Sequence, residues 1–313
     1  IIVSDPYVMD VALKNTKLEV HLSTQQSSMN YESCKYFYEQ GVKRIVLARE
    51  CTKGDIISII NHVPVEIEVF IHGAMCAGIS GRCVLSNFLT NRDANRGGCS
   101  QICRWNFKLL DENNSIIETP KDFTLCSKDL SLLEYIPDLI NMGVKSFKIE
   151  GRMRSIYYIA TVVSIYRKVI DEYCNHKENY TYNKEYERIL RRCANRDSVV
   201  QFFDDNYGTD CSYYNGREEI SNQDFLGVVI DYDEENKLAT IEQRNYFKSE
   251  DEIEIFSPYH DTISLTINKI YDENNQEISV VRHPKQIVKI NVDEKLYKFD
   301  LIRKKIVDIN EKK

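Results

Sequence analysis

The sequence predicts an α/β fold followed by a small antiparallel β-barrel, on three observations. Up to residue 173, short apolar runs alternate with helical patterns, as in parallel strands joined by helices. After residue 225 the helical periodicity stops, and short strand-like runs recur between acidic or Asn-rich turns. Residues 174–224 carry neither pattern clearly and link the two parts, giving expected segments 1–173, 174–224 and 225–313.

In chain order, residues 1–6 read as a strand entering a turn. Because the chain opens on Ile1, inside a strand, further sequence is expected ahead of it. Residues 18–23 form a candidate strand, 31–40 an amphipathic helix stopped at Gly41, 44–48 an apolar strand, 53–61 a helix and 65–71 a strand. Residues 130–141 read as a helix closed at Gly143, 146–149 as a strand and 157–173 as a long helix. The pattern fits a parallel sheet, either doubly wound or closed as a barrel, and in both the reactive groups gather where strands end. Those ends carry Ser4-Asp5, Ser23-Thr24-Gln25, Arg49-Glu50, His72 and Glu150-Gly151-Arg152. Strands are then expected at 227–230, 238–241, 253–256, 263–270 and 287–290.

Composition narrows the function. The net charge of −7 excludes a generally basic nucleic-acid binder. Charge is uneven, however: residues 76–108 hold five Lys/Arg against one Asp, and residues 217–313 hold fifteen against twenty-one Asp/Glu. No run of about 18 apolar residues is present to cross a membrane, and no export signal opens the chain. Clustered cysteines then read as metal ligands of a cytoplasmic protein rather than as disulfides.

Four of the ten cysteines fall within residues 76–103, spaced Cys76-x6-Cys83-x15-Cys99-x3-Cys103. Thiolates select zinc or iron–sulfur clusters. Structural zinc favours tight knuckles in both halves of a site, and only the second pair here is that tight. The spacing therefore points to an iron–sulfur cluster, with zinc and metal-free thiols as alternatives. Gly97 and Gly98 would let backbone approach a cluster sulfide, and Arg82 and Arg104 would offset thiolate charge. Cys34, Cys51, Cys126, Cys174, Cys193 and Cys211 have no partner at ligand spacing and receive no role.

The blocks Glu68–Cys83 and Asn95–Trp105, with Ser127-Lys128-Asp129-Leu130 and residues 148–155, resemble the bacterial collagenase-like peptidase family U32. The tail, through Gly227-Val228-Val229 and Glu242-Gln243-Arg244-Asn245, resembles the branch that hydroxylates the wobble uridine of tRNA. The resemblance implies a TIM-like (β/α) barrel, here partial and lacking its first strands, and a [4Fe–4S] cluster held by the four cysteines. It also implies oxygen-independent hydroxylation of a tRNA uridine, with prephenate as oxygen donor. The family name implies proteolysis, and a non-catalytic module with a structural metal is a further alternative. One departure stands out: after Asn195-Arg196-Asp197 the family pattern continues Phe-Thr-Thr-Gly-Phe, whereas this chain reads Ser198-Val199-Val200-Gln201-Phe202.

The remaining candidates follow from their chemistry. His72, four residues before Cys76, is a candidate proton donor. A Cys76–His72 protease dyad would need a thiolate free of metal, which ligand spacing argues against. Glu150 and Arg152 are the other catalytic candidates. Arg49, Glu50, Lys148 and Arg154 are expected to bind substrate, taken as tRNA and a small anionic co-substrate. The C-terminal barrel is expected to help dock RNA despite its acidity. Trp105, the single tryptophan, is expected to pack rather than stack on a base.

Overall fold

In the computed structural model the described residues are 1–80, 82–194, 196–205, 207–214 and 224–305. Gly81 and Asn195, which belong to motifs above, lie outside them, as do the ends of the linking and tail segments. The chain divides into two compact units, Ile1–Arg154 with Tyr166–Glu187 and Arg196–Glu219, and Ser155–Ile165 with Arg188–Asn195 and Ile220–Lys313.

The first unit opens with β1 (Ile2–Val3), α1 (Pro6–Asn15), β2 (His21–Leu22), α2 (Tyr31–Glu39), β3 (Arg44–Val46), α3 (Lys53–His62) and β4 (Glu66–Gly73). Local chemistry sets these boundaries. Asp5 accepts from the N–H groups of Tyr7 and Val8, with Pro6 at the first turn of α1. Asn30 caps α2, and Thr52 with Asp55 forms a capping box on α3. Strands β1 to β4 run parallel in that order. β4 is buried along seven of its eight residues, as a strand covered on both faces must be.

There follow α4 (Leu85–Thr90), a hairpin of β5 (Leu109–Leu110) and β6 (Ile116–Ile117), β7 (Asp129–Ser131), α5 (Ile136–Met142), β8 (Ser146–Ile149), α6 (Ile156–Asn175), α7 (Glu185–Cys193) and β9 (Ser198–Val199), with the start of α6 and the end of α7 counted in the second unit. The sheet is mixed rather than all parallel. β8 joins β4 in parallel, but β7 is antiparallel to β4, and β9 is parallel to β7. The helix expected over 130–141 is a strand and a shorter helix, because Pro137 fits only a helix's first turn. Among the described residues β1 and β9 do not pair, so the sheet is open.

In the second unit β10 (Phe225–Asp233), β11 (Leu238–Gln243), β12 (Phe247–Lys248), β13 (Glu252–Phe256), β14 (Ile263–Thr266), β15 (Ile270–Tyr271), β16 (Glu277–Ile278), β17 (Val280–Val281), β18 (Ile287–Asn291) and β19 (Leu301–Lys304) follow one another. Eight of them form one antiparallel sheet in the order β14-β13-β19-β10-β11-β18-β15-β16, and β12 pairs with β17. The sheet curls over a core including Val229, Ile241, Phe247, Ile255, Val288 and Ile290. Its ends, β14 and β16, are not joined among the described residues, so the expected barrel is a half-barrel. No helix of the described residues is long and apolar enough to cross a membrane.

Candidate functional site

The first unit carries a cavity of about 490 Å³ at one end of its sheet. Ser23–Gln25 follow β2, Arg49 follows β3, Ala74–Cys76 follow β4, and Glu150–Arg154 follow β8. These four strands are mutually parallel, so the cavity sits at their carboxyl ends, where open α/β sheets place their ligands. The reversed direction of β7 and β9 brings their starting ends to the same place, which delivers Asp129 and Arg196.

Cys76, Cys83, Cys99 and Cys103 all line this cavity and are half-buried. The Gly78 N–H bonds the Cys76 sulfur, and the Gln101 N–H donates to Cys99 Sγ at 3.3 Å. Burial raises the Cys76 thiol above its usual range and pushes Cys103 up to about 11, and neighbouring cysteines add to both. Burial thus favours the neutral thiol at Cys76 and Cys103, a bias that a bound cationic centre would offset. Four cysteines on one cavity, two of them with N–H donors to sulfur, are a donor set that fits an iron–sulfur cluster. Among the described residues no group of three or more His, Cys, Asp or Glu is gathered to hold a single metal ion.

The loop geometry explains its glycines differently from the sequence. A Cβ on Gly98 would sit 2.7 Å from the Asp93 carbonyl oxygen, so this glycine is required by the turn before Cys99. Gly73, at the end of β4, has φ +111°, and a Cβ there would lie 2.3 Å from the Glu150 carbonyl oxygen. That close approach lets the segment after β8 lie against the start of the cysteine loop.

The opposite chemistry fills the rest of the wall. Arg49, Arg104, Arg152, Arg154 and Arg196 line the cavity, with Glu150 as the one carboxylate among the lining residues. Arg49 lies 3.7 Å over the Phe70 ring, and burial lowers its pKa although Glu150 opposes the shift. Asp129 is buried and pairs with both Arg154 and Arg196, the latter at 2.6 Å. Burial and then the charge of Arg196 lower the pKa of Arg104. Five guanidinium groups with one carboxylate among the lining residues give the cavity a net positive lining.

Three expected site residues fall elsewhere. His72 is 3% exposed and does not line the cavity. Its Nδ1 is 3.2 Å from the Tyr166 hydroxyl, which donates to the Ile71 carbonyl, so Nδ1 carries the proton. Burial lowers its pKa to about 4 and keeps it neutral, which removes the proton-donor role. Glu50 accepts from both the N–H (3.0 Å) and the hydroxyl (2.7 Å) of buried Ser80, clasping the loop between Cys76 and Cys83 instead of binding substrate. Lys148 is paired with buried Glu68 at 3.0 Å, away from the lining. Arg82 also lies outside the lining, while Arg104 is within it. Trp105, expected to pack, is 49% exposed.

The whole arrangement rests on segments that known proteins share. Residues 1–212 match the model of peptidase family U32, and residues 221–303 match that of the U32 C-terminal domain. The chain belongs to peptidase family U32. It is 46% identical over 310 residues to tRNA hydroxylation protein P1 of Bacillus subtilis, covering 97% of this chain and 74% of that protein. It is 30% identical to a collagenase of Porphyromonas gingivalis, over 96% of this chain and 76% of that protein. It is 37% identical to the 23S rRNA 5-hydroxycytidine C2501 synthase of Escherichia coli, over 55% of this chain and 26% of that protein.

In this U32 chain two residues that the sequence reading left out are central, Asp129 and Arg196. Both stand inside motifs that carried the resemblance, but nothing in their spacing shows that one pairs with the other. The lost glycine also has an explanation. Gln201 takes its place and adopts φ +57°, the left-handed region that glycine enters freely. Its side chain is buried and donates to the carbonyls of Lys128 (2.9 Å) and Cys211 (3.4 Å), offsetting the strain.

Proposed function

We propose that this protein is an RNA-modifying enzyme, an iron–sulfur-dependent and oxygen-independent hydroxylase of a tRNA uridine. The relatives named for tRNA and rRNA hydroxylation support an RNA substrate. The observation that carries the reading is the meeting of four cysteines and five arginines on one cavity. Cys76, Cys83, Cys99 and Cys103 would hold a [4Fe–4S] cluster, which supplies one-electron chemistry when bound. Arg152, Arg154 and Arg196, with Arg49 and Arg104, bind a small anionic co-substrate, for which the family resemblance suggests prephenate as oxygen donor. Glu150 accepts from the Arg152 N–H at 3.2 Å and opposes Arg49, so it sets the aim of the basic groups. The open sheet would be part of a TIM-like (β/α) barrel, and the protein would work in the cytoplasm.

The collagenase relative favours a second reading, proteolysis. Neither partner of a cysteine dyad is suited to it: the Cys76 thiol is raised by burial, and His72 is buried outside the cavity lining. The test uses native, Cys99→Ser and Arg152→Ala protein purified without oxygen. Each is assayed for iron, tRNA nucleosides by mass spectrometry, and peptide hydrolysis. Cys99→Ser should lose iron and hydroxylation together, since a hard oxygen replaces a soft thiolate. Arg152→Ala should keep its iron and bind co-substrate about ten-fold more weakly. Peptide cleavage that survives iron removal, with no hydroxylated uridine from native protein, would refute the proposal.

A further inference from the structure

The second unit displays a group of rings that its core does not use. Tyr259 and Phe299 are each 69% exposed, and Tyr297 is 39% exposed. The Tyr259 and Tyr297 rings lie 5.0 Å apart, and His260 stacks on Tyr297 at 6.2 Å. Lys298 Nζ lies 5.3 Å from the centre of the Phe299 ring.

Phe299 occupies a costly position. Its φ is +77°, where a bulky side chain is an outlier and glycine would fit without strain. The backbone there is over-determined by β10. The Phe299 N–H donates to the Val229 carbonyl at 2.8 Å, and the Val229 N–H donates to the Asp300 carbonyl at 2.9 Å. Those bonds fix the left-handed turn but do not call for a ring, and a ring so exposed adds little to the core. Phenylalanine at this position is explained by what it shows to solvent.

The polar groups around the rings are ordered. Buried Asp300 accepts from the Tyr297 N–H at 2.8 Å and faces His260 Nε2 at 3.0 Å, while His260 Nδ1 faces the Asp261 carbonyl at 2.7 Å. Burial works against the charged form of His260, but an acceptor at each ring nitrogen outweighs it and raises its pKa. The carboxylate of buried Asp300 is spent on His260 and the Tyr297 N–H, so the surface presents the rings with the Lys298 ammonium and the exposed Asp261.

We propose that Tyr259, Tyr297 and Phe299, flanked by His260 and Lys298, form a stacking surface for unpaired bases of single-stranded RNA. Planar rings with polar edges and the Lys298 ammonium beside them suit bases joined to phosphates, and they suit an aliphatic protein face poorly. Stacking needs few phosphate contacts, which is how an acidic unit can hold RNA. The choice of RNA as ligand rests on the function proposed above.

The test uses the full chain and two probes, a labelled single-stranded oligouridylate and a fully paired RNA duplex. Wild-type protein should prefer the unpaired probe. Tyr259→Ala and Phe299→Gly should each weaken its binding roughly ten-fold. Phe299→Gly should at the same time melt at the same or a higher temperature, because glycine relieves the φ strain. That pairing separates loss of a ligand contact from loss of fold. Wild-type-like binding by both variants, or no preference of the wild type for unpaired RNA, would overturn the surface. Wild-type protein that binds the oligouridylate but hydroxylates no tRNA would sink the enzymatic reading and leave the surface standing. Protein that hydroxylates tRNA while both variants bind normally would sink the surface alone.

Discussion

Replacing Asp129 with Asn tests whether one buried carboxylate organises the basic half of the cavity. The Asp129 side chain is 3% exposed and the guanidinium partners belong to side chains 13% (Arg154) and 5% (Arg196) exposed, so neither ion pair is screened by water. Asparagine keeps the shape but leaves two arginine charges facing each other and Arg104 without a counter-charge. Breaking one buried pair from one side costs about 3–5 kcal/mol, and here a single substitution breaks two that share a partner, which places the effect near the upper end. Trp105 is the only tryptophan and lies in the first unit, so its emission follows that unit's unfolding alone. In urea the midpoint should fall by roughly 1–2 M with little change in slope. Added sulfate should restore part of the loss, because an anion can take the place of the missing charge. A midpoint equal to that of the wild type, with no response to sulfate, would show that Asp129 is not the organising charge.

Further outcomes follow from buried groups. His72, with its pKa lowered to about 4, is neutral in both folded and unfolded chains above pH 6.5. Between pH 6.5 and 4 only the unfolded chain takes up the proton, so stability should fall by up to roughly 3 kcal/mol across that window. His72→Gln should flatten this slope in pH-dependent urea titrations, and an unchanged slope would count against the assignment. Gly73→Ala should cost about 2–5 kcal/mol, because the new Cβ meets the Glu150 carbonyl and keeps an unfavourable φ, and melting curves would register it. Gln201→Ala should destabilise by about 1–3 kcal/mol through two lost hydrogen bonds, and Gln201→Gly by less, since glycine recovers the backbone strain. Equal melting temperatures for the two Gln201 variants would remove that account.

What could be read in the sequence was whatever chemistry repeats along the chain. The spacing of Cys76, Cys83, Cys99 and Cys103 is a local signal, and the structure gathers all four on one cavity. The alternation of apolar strand and amphipathic helix gave β2 to β4 and their helices for the same reason. β7 was hidden altogether, because its three residues merge into the apolar pattern of the helix expected over 130–141, and its antiparallel direction depends on which partner is met in space. Asp129 and Arg196 were hidden with it, being 67 residues apart along the chain. Glu50 and Lys148 look like site residues in sequence because charge at a strand end is ambiguous, and only the positions of Ser80 and Glu68 decide against them. His72 was misread because a titratable group beside a reactive motif resembles a catalyst until its burial and its partner Tyr166 are known. The exposed ring of Phe299 left no mark in the sequence, since a positive φ at a non-glycine residue has no local pattern.

The Glu50–Ser80 clasp bears on the order in which this protein is assembled. Glu50 holds the Ser80 N–H and hydroxyl, Ser80 Oγ accepts from the Arg49 N–H, and the Ser27 hydroxyl donates to the Ser80 carbonyl. None of these bonds involves a thiol. The cysteine loop is thus pinned to the ends of neighbouring strands by groups that are indifferent to what the cysteines carry. The loop can therefore take up this position with its thiols empty, and on the iron–sulfur reading proposed above the cluster would be loaded into a loop already in place.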